Sequence, residues 1–223
     1  MSAAIGQSLP IAVGVLVSPL PIVAVVLMLV SERARANALA FVVAWFLAVL
    51  VLVGVVALLA GTAAPDDDGP AAWTGWLKVV LGVLLLFLSV RQWQGRPRHG
   101  AEPPAPKWMA AIEQFTPVKS AGLAVLLGAV NPKNLLLTVS GGVAIAAAQP
   151  ADTTATVVAS IVFAVVASAG VVTPVVIYFS MGARAAQVLD ELKTWMIHNN
   201  AAIMAVLLLV IGAKMLGDGI SVL

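Results

Sequence analysis

VLLGAVNPKNLLLTV, residues 125–139, decides the fold. It is apolar on both sides of Asn131-Pro132-Lys133-Asn134 and sits inside a longer apolar run, residues 118–148. At a rise of about 1.5 Å per residue such a run spans the ~30 Å hydrocarbon core of a bilayer, with Asn131 near its centre. Proline lacks an amide hydrogen and its ring clashes with the carbonyl one turn back. The motif therefore frees backbone groups that hydrocarbon cannot solvate, and these must face protein or water. A transmembrane helix broken near the midplane is predicted. Ser18-Pro19-Leu20-Pro21, in the middle of the apolar run 5–30, predicts a second.

The rest of the chain supports the same medium. Of the 223 residues, 61% are hydrophobic and 10% charged, and the mean hydropathy is +1.06. Soluble domains carry about a quarter charged residues, so a soluble fold is excluded. The net charge of +2 is small and the basic residues are scattered, which argues against nucleic-acid binding. No cysteine is present, so disulfides and zinc-thiolate sites are excluded. Residues 1–10 hold no basic side chain and no separate short apolar core, so no signal peptide is expected.

Six spans are predicted, at about residues 5–30, 37–60, 73–93, 118–148, 153–179 and 201–220, in one transmembrane domain covering 1–223. The first, third and fifth connections hold nine of the twelve Lys and Arg residues, including Arg33, Arg35, Arg91, Arg96 and Arg184. By the positive-inside rule they face the cytoplasm, and both termini and the Asp66-Asp67-Asp68 loop face out. Two cytoplasmic segments, 107–118 and 183–197, have apolar residues at helical spacing and are expected to rest on the inner leaflet. A gate or docking surface is the alternative.

The two halves align on each other. Val83-Leu84-Leu85-Leu86 followed by Arg91 matches Val206-Leu207-Leu208-Leu209 followed by Lys214, and Ser18-Pro19 matches Asn131-Pro132. Three spans per half make the repeat inverted: about 1–95, a linker at about 95–117, and about 118–223. The predicted fold class is thus an all-α membrane protein of six transmembrane helices, built as two inverted three-helix repeats with helices 1 and 4 broken mid-membrane. Paired broken helices in inverted repeats point to a transporter site at the repeat interface.

Asn131-Pro132 and Ser18-Pro19 also read as helix starts, each with an N-cap residue followed by proline at the first helical position. Two half-helices would then begin mid-membrane, with the positive ends of their dipoles directed into the interface. Lys133 adds a full charge at a depth where lysine costs roughly 2.5–3.5 kcal/mol on insertion scales. No Asp or Glu lies at comparable depth. The predicted substrate-binding residues are therefore Ser18, Pro19, Pro21, Asn131, Pro132, Lys133 and Asn134, recognising an anionic group. The alternative is a pair of packing kinks with Lys133 capping freed carbonyls. Arg91 is expected to snorkel to the inner surface, and Lys214 to pair with Asp218. No nucleophile–base pair, carboxylate pair or metal-ligand set lies at depth, so neither an enzyme, a catalytic residue, a metal nor a cofactor is expected.

At these motifs the chain resembles the lysine-exporter (LysE) superfamily of six-span carriers, whose fourth helix commonly holds an Asn-Pro-Lys like Asn131 to Lys133. Within it, the chain is similar to the GAP family of actinobacteria, the glycopeptidolipid- and sulfolipid-addressing proteins. That likeness rests on the two Pro motifs, Ser31-Glu32-Arg33-Ala34-Arg35-Ala36-Asn37, Thr116-Pro117-Val118-Lys119 and the tail from Asn199 to Asp218. The resemblance implies movement of an anionic lipid or glycolipid across the bacterial inner membrane toward the envelope. Its partners would be that membrane lipid or lipid-like substrate. A homodimer suits so small a bundle. The alternatives are a non-transporting scaffold for a lipid-synthesis or export complex, and an exporter of a small amino acid or anion.

Overall fold

A computed structural model describes residues 2–62, 72–96, 109, 111–148, 153–221 and 223. All regular elements among them are helical. Helices α1 (Ser2–Leu16) and α2 (Pro19–Leu29) meet at a 50° bend. Helix α3 (Ala34–Thr62) and α4 (Ala72–Gln94) follow, then a 3-10 turn (Ile112–Gln114) and α5 (Pro117–Val125). The π-helical turn Leu126–Val130 leads to α6 (Pro132–Ala147) across a 61° bend, and α7 (Thr153–Ser180) and α8 (Ala185–Ile220) complete the chain. Among the described residues four helices are long and apolar enough to cross a membrane, and counting each bent pair as one span gives up to six candidate crossings. The acidic loop at 66–68 and the basic stretch 97–106 lie outside the described residues.

Helix α3 shows why amphipathicity could not assign faces here. Phe41, Trp45, Val49 and Val53 recur every four residues and are fully buried, whereas Leu39, Val43, Leu47, Val51 and Val55 on the other side are about half exposed. Both faces are apolar, as expected for a helix between a protein core and lipid. Packing on α5, α6 and α7 decides which side faces in.

Helices α4 and α8 pack against each other along most of α4. A Cβ built on Gly82 would lie 2.9 Å from the Gly212 carbonyl oxygen, and one on Gly219 2.9 Å from that of Gly75. One heptad further along, the Ser89 hydroxyl donates to the Ala205 carbonyl at 2.6 Å. Small residues thus recur every seventh position on both helices, which lets two antiparallel backbones approach closely where no hydrophobic force drives helix association. Gly141 and Gly142 do likewise for α6, meeting Phe163 of α7 and Val53 and Val56 of α3.

Two expectations about the connections are corrected. Residues 183–197 do not form a separate surface helix: all but the first two belong to α8, a continuous helix of 36 residues, about 54 Å long. No proline or glycine interrupts the chain between Gly182 and Gly212, so nothing ends the helix. Met196 packs with Ile22 and Val23 of α2, which takes the apolar stripe into the bundle. The segment 107–118 is not one helix either. Among its described residues, Met109 and Ala111 are helical and Ile112–Gln114 make a 3-10 turn, the chain is extended at Phe115 and Thr116, and α5 begins afresh at Pro117 behind Thr116, whose hydroxyl accepts the Lys119 amide hydrogen.

Candidate functional site

The second break is built by its own sequence. A π-turn precedes it, closed by a 2.7 Å hydrogen bond from the Asn131 amide to the Leu126 carbonyl. Single π-turns are over-represented at functional sites. Asn131 is then the N-cap of α6, its side-chain oxygen accepting from the Lys133 amide at 3.1 Å, and Pro132 sits at the first helical position, where no amide hydrogen is needed. Asn134 reaches back and donates to the Leu127 carbonyl at 2.8 Å, satisfying one acceptor that the break releases.

The first break is similar in outline and different in detail. Pro19 opens α2 after Ser18, but the Ser18 hydroxyl makes no cap bond and is buried without a partner among the described residues, which departs from the capping role expected of it. Pro19 and Pro21 both fall in the first turn, so two of the four amide hydrogens that a helix start normally presents are missing. The Ser18 amide is used by the Val15 carbonyl. Leu20 alone keeps an amide hydrogen in that turn. Opposite, Gly170 of α7 leaves room for the Leu16 carbonyl, which any side chain there would strike.

The breaks contribute to one cavity of about 370 Å³. Asn131, Pro132 and Lys133 line it from the second break and Leu20 from the first. Arg91 and Gln92 enter from the end of α4 and Asn200 from α8, while Leu88 and Leu208 give it an apolar wall. Ser18, Pro19, Pro21 and Asn134 are buried beside the breaks. Lys133 is only 6% exposed. The ion pairs among the described residues are Lys193–Asp190 and Lys214–Asp218, the latter as expected, and Lys133 belongs to neither. Its only described hydrogen bond is made by its backbone.

Arg91 is exposed, as expected of a side chain that reaches the surface, with its guanidinium 6.0 Å from the centre of the exposed Phe87 ring, and it also lines the cavity that holds Lys133. The Ser89–Ala205 contact fixes α4 against α8, and with it the end of α4 that carries Arg91. The side-chain oxygen of Asn200 is buried and accepts from no described group. Two cations, three side-chain amides and no described carboxylate make this a cavity that attracts an anion. Trp45 is packing, fully buried, stacked on Phe41 and pressed against Gly128. Among the described residues no group of His, Asp or Glu could hold a metal ion.

A helical bundle with four to six candidate membrane crossings and a cationic cavity at its two breaks is a multi-pass membrane protein. The chain belongs to the Sap, sulfolipid-1-addressing protein family, whose model matches residues 9–221. The motif-based likeness to lipid-addressing proteins is thereby established at the level of the family. Neither a curated protein nor a solved structure matches the chain.

Proposed function

We propose that this protein translocates an anionic lipid or glycolipid across the bacterial inner membrane toward the cell envelope, with the headgroup held between Lys133 and Arg91. One observation carries the reading: a buried lysine without a described carboxylate shares a cavity with an arginine at two broken helices. The family's description names a sulfolipid, and a sulfate ester keeps its charge at any physiological pH, as such a cavity requires. Leu20, Leu88 and Leu208 would meet the part of the lipid next to the headgroup, while the acyl chains stay in the bilayer.

The inverted repeat read from the sequence would support alternating exposure of that cavity. Some packing pairs match such a repeat, with α1 on α7 as α5 is on α3 and α2 on α8 as α6 is on α4, whereas the extensive packing of α1 on α6 has no comparable described counterpart between α5 and α2. Placement in the lysine-exporter superfamily, cytoplasmic Arg-rich connections and outward termini belong to the same proposal. On this reading the protein breaks no covalent bond.

The test is reconstitution of the full chain in proteoliposomes with a fluorescent sulfated lipid. Lys133→Ala slows translocation at least tenfold if the proposal is right. An unaltered rate contradicts it, and a rate that falls for neutral lipid as well assigns Lys133 to structure alone.

A further inference from the structure

A second cationic cluster sits at the other end of the α4–α8 seam. Lys78 lies between Gly75 and Gly82, in the most closely packed stretch of α4, and is 5% exposed. Facing it between Gly212 and Gly219 are Lys214 and Asp218, whose side chains pair with each other and are about one third exposed. Lys78 enters neither described ion pair and makes no described side-chain hydrogen bond, although Asp218 and Lys214 are both within electrostatic reach. Lys78 thus lies in the field of the Lys214–Asp218 pair without joining it, and that pair opens to the bundle surface through its partly exposed side chains.

Depth identifies the ligand. Lys78 is six residues into α4, about 9 Å from its start. Trp76, two residues earlier and 61% exposed, is the kind of side chain that marks the membrane–water interface. A cation at this level meets the headgroups of its own leaflet, about 20 Å along the helix from Arg91.

We propose that Lys78 and Lys214 form a second anion site, which takes the phosphate or sulfate headgroup of a lipid in the leaflet at this end of the bundle. Asp218 competes with the headgroup for Lys214 and keeps the site's affinity moderate. The site is independent of any passage through the cavity at Lys133. The rival counter-charge is Asp66-Asp67-Asp68, which precedes α4 in the chain.

Native mass spectrometry of the full chain, titrated with phosphatidylglycerol and with neutral phosphatidylcholine, tests this. Lys78→Gln is expected to weaken phosphatidylglycerol binding about tenfold relative to phosphatidylcholine, and Asp218→Asn to strengthen it by freeing Lys214. The opposite sign for Asp218→Asn separates the site from a purely structural Lys78–Asp218 pair, whose loss would lower thermal stability without a gain in lipid. Replacing all three of Asp66, Asp67 and Asp68 by Asn should leave binding equal or stronger. Phosphatidylglycerol binding that survives Lys78→Gln and is unchanged by Asp218→Asn overturns the proposal. So does selective binding that appears only once the three aspartates are gone. Inorganic sulfate displacing the lipid at equal concentration would overturn the lipid assignment.

Discussion

Lys133 and Arg91, on different helices, line the same cavity, and no described carboxylate pairs with either. Burying Lys133 in a membrane bundle is costly, and the exposed Arg91 on the wall of the same cavity adds to that cost unless an anion is bound.

The two charges should therefore act together on substrate. Arg91→Gln is expected to weaken binding of a sulfated lipid about tenfold, roughly 1.4 kcal/mol. Adding it to Lys133→Ala should cost less than the sum of the single changes, because both meet the same headgroup. A double-mutant cycle on lipid affinity measures this. Full additivity would place the two residues in separate sites.

Asn131 has two separable jobs, capping α6 and lining the cavity. Asn131→Ala should lower stability by about 1 kcal/mol through the lost cap. Asn131→Asp keeps a cap acceptor at a helix N-terminus and should preserve stability, while its negative charge excludes the substrate. Ser18→Ala, which loses no cap bond, should change stability little. Thermal unfolding in detergent paired with lipid binding reads each effect.

Glycine replacements should change sign with location. Gly82→Ala places a Cβ 2.8 Å from the Leu216 amide nitrogen and 2.9 Å from the Gly212 carbonyl. Backbone cannot yield as a flexible side chain would, so a loss of about 1–3 kcal/mol is expected. Gly54→Ala, mid-helix in α3 with nothing within 4 Å, should instead gain roughly 0.5–1 kcal/mol from better helix propensity. The same unfolding measurement on both variants decides whether the α4–α8 seam is as close as described.

The breaks were legible because proline acts through covalent structure: whatever packs around them, Pro19 and Pro132 cannot donate to a preceding carbonyl. Lys133 was legible because its depth follows from counting along a helix. That Arg91 shares its cavity was not, since counting along α4 places Arg91 near a span's end, and the close approach of α8 to α4 decides what lies beside it. A signal for that approach was present in Gly75, Gly82 and Ser89 at sevenfold spacing, facing Ala205, Gly212 and Gly219. The true start of α8 was hidden by charge, because Asp190, Glu191 and Lys193 look like a solvated connection. The absence of any helix breaker after Gly182 was the better guide. Which apolar face of α3 meets protein was beyond reach, since both are equally hydrophobic.

The central claim concerns what neutralises Lys133, and an experimental structure in a lipid nanodisc containing a sulfated lipid addresses it most directly. The account predicts headgroup density between the Lys133 ammonium and the Arg91 guanidinium, with the acyl chains leading past the apolar wall into the bilayer. A carboxylate of the chain itself filling that place, with the cavity closed around an ion pair, would contradict it.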